Sequence, residues 1–412
     1  MIKVYVSRFD REVDSEPHLE CYEIEQTPQM KVLDAINAIN EKYDADISIR
    51  SSCRAGQCGS CGILFNGNGA LACQKDIKDG AIIEPQNFPV IKDLIVDKSQ
   101  IEQEVKDLQL SLNPQRHDDD LNENLTPENI KNTKKVRSCI ECYSCFATCP
   151  VIKFIKTKFG GPYIMRYLSK FESDPRDEFD RLDESLKEGL YKCTSCGKCK
   201  AVCPKDINTF GDAIERLREI ACKEGKGPLP EHVAFKENIE KTGRSIKAEG
   251  PSFIEEVKND NGSKIALFTG CMVDNKLHHI GEALIDVLEA NGITIDIPEG
   301  TWHDPCHLGS GQGIKGQPRD ILKQIPGVTF KEMKYPCQCC GAGGGIKAGH
   351  PEIAMTLAKE KAKMIEDTGA ESVITICPFC QYNIQDGLDA IDREDIKAMN
   401  IIELLQLAYQ KD

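Results

Sequence analysis

The sequence lacks the features that place a protein in or across a membrane. No apolar run in its 412 residues approaches the roughly 18 to 20 residues that cross a bilayer, so any membrane contact has to be made through another subunit. A secretory h-region is also missing. With the acidic composition, this predicts a cytoplasmic protein, in which cysteine thiols stay reduced or bind metal.

Basic residues are fewer than acidic residues in this chain. The chain has 52 Lys and Arg residues against 66 Asp and Glu, a formal net charge of −14, and a pI near 5.2. This balance excludes a nucleic acid or an anionic membrane as a partner over the whole surface, although a local basic pocket is compatible with it. Hydrophobic residues, at 40%, are ample for the cores of two to four domains.

Cysteine, in contrast, is abundant, with 21 residues, and two runs of it are near copies. Each reads C-x2-C-x2-C-x3-C-P, the spacing that wraps a loop around a [4Fe-4S] cluster, and in two-cluster ferredoxins the fourth cysteine ligates the other cluster. The first predicted ligand set is therefore Cys139, Cys142, Cys145 and Cys203. The second is Cys193, Cys196, Cys199 and Cys149. A chain with two such clusters transfers single electrons.

Zinc sites or disulfides are the alternative explanations of these runs. Zinc usually binds two separated C-x2-C pairs, whereas here three cysteines at intervals of three residues, followed by a Cys-Pro, occur twice. Disulfides conflict with the reducing location that we expect. We therefore favour iron–sulfur clusters.

A further cysteine pattern lies nearer the N-terminus. Its spacing, C-x4-C-x2-C-x11-C, matches the plant-type [2Fe-2S] pattern and comprises Cys53, Cys58, Cys61 and Cys73. Glycines within the loop let its amides face the sulfur atoms without side-chain clashes, and these are Gly56, Gly59 and Gly62.

Regular structure is predicted around this loop. Ile2 to Ser7 and Leu19 to Ile24 have the patterns of strands, and apolar residues from Val32 to Ile39 recur at helical spacing. After the loop, Asn66 and Gly67 fit the turn of a hairpin. The fourth cysteine of the set should thereby return to the first three.

The last segment has the pattern of an α/β domain. The predicted elements are a strand at 264–268, a helix at 280–288, a strand at 293–297, a helix at 351–367 and a strand at 372–376. Cys271 and Cys377 follow predicted strands. In open α/β sheets, ligands bind outside the carboxyl ends of the strands, so we expect this segment to carry a site of its own.

The N-terminal half resembles the iron–sulfur subunits of succinate dehydrogenases and fumarate reductases. The matching stretches are 52–62, 71–73 and 88–97. Most members of that family replace one cysteine of the second or third motif and hold a [3Fe-4S] cluster there. This chain keeps all eight cysteines, so the resemblance implies two [4Fe-4S] clusters beside one [2Fe-2S] cluster.

The C-terminal segment resembles the CCG domain of heterodisulfide reductases and of several flavin-linked dehydrogenases. The residues of the motif are Cys306, Cys339, Cys340, Cys377 and Cys380. In the heterodisulfide reductases, such a set is associated with a non-cubane [4Fe-4S] cluster that meets a disulfide substrate, and the resemblance implies the same catalytic role here. A zinc site or a purely structural thiol cluster is the alternative.

The three parts in this order resemble the iron–sulfur subunits of the thiol:fumarate reductases of methanogenic archaea. This resemblance implies that coenzyme M and coenzyme B thiols are oxidised to the heterodisulfide. Electrons would then pass through the clusters to a flavin, where fumarate becomes succinate. The sequence has no flavin-binding fingerprint, so FAD is expected on a flavoprotein partner in a heterodimer.

One part of the expected pattern is missing. That family carries two CCG motifs, and here only Cys271 of the first copy is present before the second copy begins near Thr301. Two rival functions therefore stay open. The chain could be the electron-transfer subunit of another succinate, 2-hydroxy acid or glycerol phosphate dehydrogenase, or a non-catalytic electron carrier with a structural, zinc-binding CCG region.

The sequence thus predicts an α+β multidomain protein. The expected segments are a β-grasp [2Fe-2S] ferredoxin domain at 1–97, a connector at 98–135, an α-helical ferredoxin domain with two [4Fe-4S] motifs at 136–223, a linker at 224–262 and an α/β CCG domain at 263–412.

Several weaker patterns favour ordinary structural roles. The G-x-G-x-x-G match lacks the context of a dinucleotide site and consists of Gly311, Gly313 and Gly316. For His303 and His307, a hydrogen-bonding role is favoured over metal ligation. An anionic thiol cofactor could be bound by Lys315, Arg319 and Lys347. Such charges are more often simply solvated. Thiols outside any motif are Cys21, Cys222 and Cys337.

Overall fold

The chain folds into two units, each described by itself. The computed structural model describes residues 1–113, 126–155, 157–247, 250–256, 270–289, 300–325 and 328–409. The first unit is Met1–Cys193 with Gly197–Lys226, and the second is Thr194–Cys196 with Gly227–Asp412. Within the described ranges, no helix is both long and apolar enough to cross a bilayer.

The first unit begins with strands and continues with helices. Its strands are β1 (Ile2–Arg8), β2 (His18–Ile24), β3 (Gly62–Phe65), β4 (Asn68–Leu71), β5 (Ala81–Glu84), β6 (Val90–Lys92) and β7 (Ile95–Val96). Its α-helices are α1 (Val32–Tyr43), α2 (Ser99–Asp107), α3 (Pro127–Arg137), α4 (Ser144–Thr148), α5 (Pro150–Phe154), α6 (Gly161–Glu172), α7 (Arg181–Lys187), α8 (Lys198–Ala201) and α9 (Arg216–Lys223). A 3₁₀-helix spans Leu190–Lys192 and a π-helix spans Thr209–Glu215.

Five of these strands form one sheet in the order β2-β1-β5-β3-β4. β1 pairs antiparallel with β2 and parallel with β5, and β3 pairs antiparallel with β4 and β5. The apolar face of α1 is buried in the same core as the inward-facing residues of β1, because residues three and four apart share one face of a helix. The predicted strands and helix are confirmed.

The predicted hairpin turn is also confirmed. β3 and β4 are joined by Asn66 and Gly67, whose φ angles of 48° and 72° lie in the left-handed region. Two such residues give the turn whose twist matches the flanking strands. The turn therefore sends the chain back towards Cys73.

Helix α6 is the centre of the helical part of this unit. It contacts α3, α4, α7 and the π-helix, and most of its residues are buried. Helix α3 begins after Thr126, whose hydroxyl accepts a hydrogen bond from the Asn129 amide.

The second unit contains a parallel sheet. Its strands are β8 (Gly300–Trp302), β9 (Phe330–Lys331), β10 (Ser372–Thr375) and β11 (Lys397–Asn400), in the order β11-β10-β8-β9. Its α-helices are α10 (Pro230–Thr242), α11 (Phe253–Glu256), α12 (Gly270–Asn275), α13 (His278–Glu289), α14 (Gly316–Gln324), α15 (Ile346–Gly349), α16 (Pro351–Glu366), α17 (Pro378–Asp389) and α18 (Ile401–Tyr409), and a π-helix spans His307–Gly311.

Some of the helices and strands predicted for this unit are present, and others lie outside the described residues. The helices predicted at 280–288 and 351–367 are α13 and α16, and the strand predicted at 372–376 is β10. The strands predicted at 264–268 and 293–297 lie outside the described residues. Helix α10 occupies part of the stretch predicted to be a linker, and no residue of it is buried.

A buried carboxyl group on α2 predicts a dependence of stability on pH. Burial, and then the negative charge of Glu188, raise the pKa of Glu104 to about 7. Because this pKa lies above the ordinary value of 4.5, the group's contribution to stability is present below pH 4.5 and is lost as pH rises towards 7. We expect Glu104→Gln to stabilise the first unit at pH 8, by on the order of 1 kcal/mol after allowing for solvent screening, and to have little effect at pH 4.5.

Anaerobic thermal unfolding at the two pH values measures this difference. Glu102→Gln is the matched control, because Glu102 lies on the same helix and is exposed. Equal melting temperatures of the Glu104→Gln and Glu102→Gln proteins at pH 8 would contradict the prediction.

Candidate functional site

The first cysteine set surrounds an irregular loop that ends where β3 begins. The Ala72 amide donates a hydrogen bond of 2.9 Å to the Cys61 carbonyl oxygen, which brings Cys73 beside Cys61. Three amide N–H groups of the loop donate to the Cys53 Sγ atom at 3.3–3.4 Å, those of Ala55, Gln57 and Cys58. Such donors stabilise negative charge on sulfur.

This loop has a solvent side and a buried side. Cys53 and Cys58 are exposed, whereas Cys61 and Cys73 are buried. A hydrogen bond with the Ser60 side chain is the main cause that lowers the pKa of Cys58 to about 6, and burial raises the pKa of Cys61 to about 11. The exposed side of the loop thus favours ionisation of the Cys58 thiol, and the buried side disfavours ionisation of the Cys61 thiol.

The second cysteine set lies in the helical part of the first unit. All four residues line one small cavity, Cys139, Cys142, Cys145 and Cys203. Burial raises the pKa of Cys142 and Cys145, and negative charge on the neighbouring thiolates raises both further. The donor set fits a group that binds several thiolates at once.

The two repeated runs lie against each other. Helices α4 and α8, which carry the third cysteine of each run, are in contact. Negative charge on Cys199 contributes to the raised pKa of Cys145, so these two side chains are close. Cys193 and Cys199 belong to the first unit and Cys196 to the second. The complete ligand set of Cys149, Cys193, Cys196 and Cys199 stays a prediction.

Glycines let the first cysteine loop approach the run that begins at Cys139. A Cβ atom on Gly59 would lie 2.4 Å from the carbonyl oxygen of Ile140. A Cβ atom on Gly69 would lie 2.4 Å from the carbonyl oxygen of Ser144, and the Gly69 amide donates a 2.7 Å hydrogen bond to the Thr148 hydroxyl. Only a residue without a side chain allows this separation.

The five CCG cysteines meet at one end of the parallel sheet. The chain reaches Cys306 just after β8, and Cys377 and Cys380 lie at the start of α17, just after β10. Hydrogen bonding with Cys380 is the main cause that lowers the pKa of Cys340, and it lowers the pKa of Cys377 to about 6. The position predicted for Cys377, at the carboxyl end of a strand, is confirmed.

Cys339 also contacts the second ferredoxin run within this unit. Its Sγ atom lies 3.7 Å from the Thr194 hydroxyl. A hydrogen bond with Cys196 lowers the pKa of Cys339, but contact with Cys306 and burial together raise it well above its usual range. A Cβ atom on Gly343 would lie 2.7 Å from the Thr194 carbonyl oxygen. The glycine at position 343 therefore allows a close backbone approach to Thr194.

His303 lies closer to the cysteines than its place in the sequence indicates. A ring nitrogen of His303 and the Sγ atoms of Cys340 and Cys380 all lie within 4.8 Å of one another, and the three residues are buried. These atoms form a set that could hold a metal ion.

Sequence analysis missed a buried cation beside this site. Lys361 on α16 is completely buried and donates to the carbonyl oxygens of Tyr335 and Pro336 at 3.1 and 2.9 Å, and its charge helps to lower the pKa of Cys340. The signal was present, because Lys361 occupies an i+4 position in the buried stripe of Ile353, Leu357 and Ile365.

Two of the three basic residues considered as anion ligands have acidic partners. Arg319 pairs with Asp304 and Glu332, and Lys347 contacts Asn383 and Asp386. The Cys337 thiol donates to the Asp304 carboxylate at 3.2 Å. The G-x-G-x-x-G match follows a π-helix rather than a strand, which agrees with its rejection as a dinucleotide site.

Cys271, the remnant of the first CCG copy, lies on helix α12 rather than directly after a described strand. A hydrogen bond with the Ser245 side chain is the main cause that lowers its pKa.

Three family models match the chain in the order that the motifs predicted. A 2Fe-2S iron-sulfur cluster binding domain matches residues 3–103, and a 4Fe-4S dicluster domain matches residues 135–207. A cysteine-rich domain described as CCG matches twice, at 265–301 and at 300–385. The first CCG match is the shorter one, which agrees with the incomplete first motif.

Similar proteins cover either the whole chain or parts of it. The B subunit of fumarate reductase (CoM/CoB) from Methanothermobacter marburgensis is 44% identical over 493 aligned positions that include all of both chains. The D subunit of the dihydromethanophenazine:CoB–CoM heterodisulfide reductase from Methanosarcina barkeri is 27% identical and covers 65% of this chain and 92% of its own. A chain of the Mycobacterium smegmatis Sdh1 complex in the apo form aligns with a TM-score of 0.51 and 27% identity, over 55% of this chain and 98% of its own.

The full-length alignment is longer than this chain. Its 493 positions exceed the 412 residues of this chain by 81, so the relative has at least 81 residues that this chain lacks. The shortened first CCG match is consistent with a loss at that place.

The contact at Gly69 predicts that a single methyl group weakens the first unit. We expect Gly69→Ala to lower stability by about 1–3 kcal/mol, because the new Cβ atom would overlap the Ser144 backbone. Gly316→Ala is the control, since no atom lies within 4 Å of a Cβ atom at that position. Anaerobic thermal unfolding measures both, and a Gly69→Ala protein as stable as the control would contradict this contact.

Proposed function

This chain belongs to the family of fumarate reductase (CoM/CoB) B subunits, and from that membership we propose that it carries electrons from thiols to fumarate. Two thiols, of coenzyme M and coenzyme B, lose two electrons and two protons as one S–S bond forms. Fumarate takes up two electrons and two protons to become succinate. When bound, iron–sulfur clusters accept and release electrons singly, and so join the two reactions.

The observation that carries this proposal is the contact of the CCG site with the second ferredoxin run. Cys339 lies against Thr194 and Cys196, so a residue of the thiol-oxidising site touches a residue that would ligate a [4Fe-4S] cluster. A purely structural CCG region would not require this contact. The close approach of Gly59 to the run at Cys139 supplies a second such junction, towards the flavin partner.

The ligands that we propose follow the cysteine motifs. The [2Fe-2S] cluster would be held by Cys53, Cys58, Cys61 and Cys73. The first [4Fe-4S] cluster would be held by Cys139, Cys142, Cys145 and Cys203, and the second by Cys193, Cys196, Cys199 and Cys149. The non-cubane [4Fe-4S] cluster, with the thiol chemistry, would be held by Cys306, Cys339, Cys340, Cys377 and Cys380. Thiols with raised pKa values support three of these sets, through Cys61, Cys145 and Cys380.

The proposed domains keep the boundaries that the sequence predicts. They are a β-grasp ferredoxin domain at 1–97, a connector at 98–135, an α-helical ferredoxin domain at 136–223, a linker at 224–262 and a CCG domain at 263–412. We propose a cytoplasmic heterodimer in which a flavoprotein subunit carries FAD and reduces fumarate. The description of the relatives as reductase subunits supports such a partner.

One observation supports a rival function, that of an electron carrier whose CCG region is structural. His303, Cys340 and Cys380 place one nitrogen and two sulfur donors within 4.8 Å of one another, and zinc accepts such donors with a fourth ligand. The metal content of the CCG site separates the two functions.

Substitution of a CCG cysteine should therefore remove iron. We expect Cys340→Ser to lose about four iron atoms per chain together with acid-labile sulfide, the content of one [4Fe-4S] cluster. Cys337→Ser is the control, because Cys337 lies in the same segment, outside the proposed ligand set. Iron, zinc and sulfide analysis of anaerobically purified protein measures the change. Zinc in the wild-type protein that is lost in Cys340→Ser would establish the rival.

Thiols should also change the electron paramagnetic resonance spectrum of the anaerobic protein. We expect coenzyme M and coenzyme B together to alter cluster signals in the wild-type protein and not in Cys340→Ser, because their electrons enter at the CCG site. Either thiol alone serves as a control, and dithionite shows that the clusters can be reduced. If dithionite reduces the clusters while the two thiols together leave every signal unchanged, the thiol-oxidising function is wrong.

A further inference from the structure

Arg166 is a buried cation at the cavity of the first proposed [4Fe-4S] site. It lies on α6, its exposed fraction is 4%, and it lines the same cavity as Cys139, Cys142, Cys145 and Cys203. Neither the cysteine motifs nor the similar proteins assign a role to this residue.

The guanidinium group has few partners within the chain. Its Nη1 atom donates a 3.1 Å hydrogen bond to the Val136 carbonyl oxygen. Among the described residues, no acceptor lies within hydrogen-bond distance of its buried Nε and Nη2 atoms. Its face is covered by an aromatic ring, since the Cζ atom lies 3.9 Å from the ring centroid of Tyr167. The N–H groups that can still donate hydrogen bonds therefore lie at the edge of the guanidinium group.

No carboxylate of the described residues forms an ion pair with Arg166 within 4 Å; Glu141 accepts its hydrogen bond from Tyr167 instead. Two other arginines of the helical part do have acidic partners, since Arg181 pairs with Asp177 at 2.5 Å and Arg137 with Asp174 at 2.7 Å. A buried guanidinium without an anion costs much free energy, and so do buried N–H groups without acceptors. An anionic group with several acceptor atoms in the adjoining cavity would remove both costs.

We propose that Arg166 is the counter-ion of the cluster held by Cys139, Cys142, Cys145 and Cys203 and raises its reduction potential. This inference rests on the proposed function, because it requires a cluster on those cysteines. Reduction adds one electron and one negative charge to the cluster. The positive charge and N–H donors of Arg166 stabilise the reduced form more than the oxidised form, and net charge and hydrogen bonds to sulfur are the terms that set such potentials.

The other cation at this cavity makes a suitable control. Lys205 also lines the cavity, but it is only partly buried and its Nζ atom donates to the Gln57 side-chain oxygen at 2.7 Å. Its charge is therefore shared with solvent and with another acceptor. Replacing it removes one positive charge from the same cavity without removing the buried donors.

Redox titration followed by electron paramagnetic resonance tests the proposal. The signal of the first [4Fe-4S] cluster is identified as the one that Cys142→Ser lacks. We expect Arg166→Gln to shift its midpoint potential to a more negative value, Arg166→Lys to shift it less because the charge is kept, and Lys205→Met to leave it nearly unchanged. The signal of the [2Fe-2S] cluster serves as the internal reference in each protein.

The outcomes separate this inference from the proposed function. If Cys142→Ser loses no signal, the ligand assignment is wrong. If that signal is identified but keeps its potential in Arg166→Gln, the role of Arg166 is wrong. If the Arg166→Gln protein does not assemble the cluster, the Arg166→Lys protein provides the test. An unchanged midpoint potential of the cluster in Arg166→Lys overturns the role of the Arg166 N–H groups as hydrogen-bond donors. If Lys205→Met shifts the midpoint potential as much as Arg166→Gln does, any positive charge near the cavity has the same effect. That result would also overturn the specific role of Arg166.

Discussion

Thiolates that are held together away from water repel one another, and they can stay ionised only if positive charge or hydrogen-bond donors compensate for them. This constraint shapes both units. Burial raises the pKa of Cys145 well above its usual range, and hydrogen bonding with Cys340 and Cys377, followed by burial, does the same for Cys380. For Cys339, a hydrogen bond with Cys196 lowers the pKa, but contact with Cys306 and burial together raise it well above its usual range. Bound iron supplies most of the compensation in a cluster protein. The chain adds loop amides at Cys53, the guanidinium of Arg166 at the first helical set, and the ammonium group of Lys361 at the CCG set.

Electron transfer requires short separations between sites, and here backbone contacts between motifs supply them. Gly59 meets Ile140, and the Gln86 side chain donates to the Cys142 carbonyl oxygen at 2.8 Å. In the second unit, Gly343 meets Thr194 in the same way. Glycine is needed at these two contacts because a side chain would push the cysteine motifs apart.

The CCG segment keeps one complete motif and only Cys271 of another. The complete motif has a compact geometry, with cysteines after two neighbouring parallel strands, β8 and β10. Cys271 lies apart on α12, with Ser245 as its partner. A site built from the complete motif therefore does not need the remnant as a ligand, which agrees with an internal loss of one copy.

The sequence by itself showed the spacing of the cysteine motifs, the order of the three matched domains and several local elements, because each depends on residues close together in the chain. Spacing decides which thiols one loop can present, and Asn66 and Gly67 have the conformational freedom that a hairpin turn requires. Tertiary structure alone decided that Arg166 lies beside the cysteines of the first helical set, Lys361 beside Cys340 and Thr194 beside Cys339. These contacts join residues far apart in sequence, so the pattern within one segment does not reveal which cysteine each residue meets.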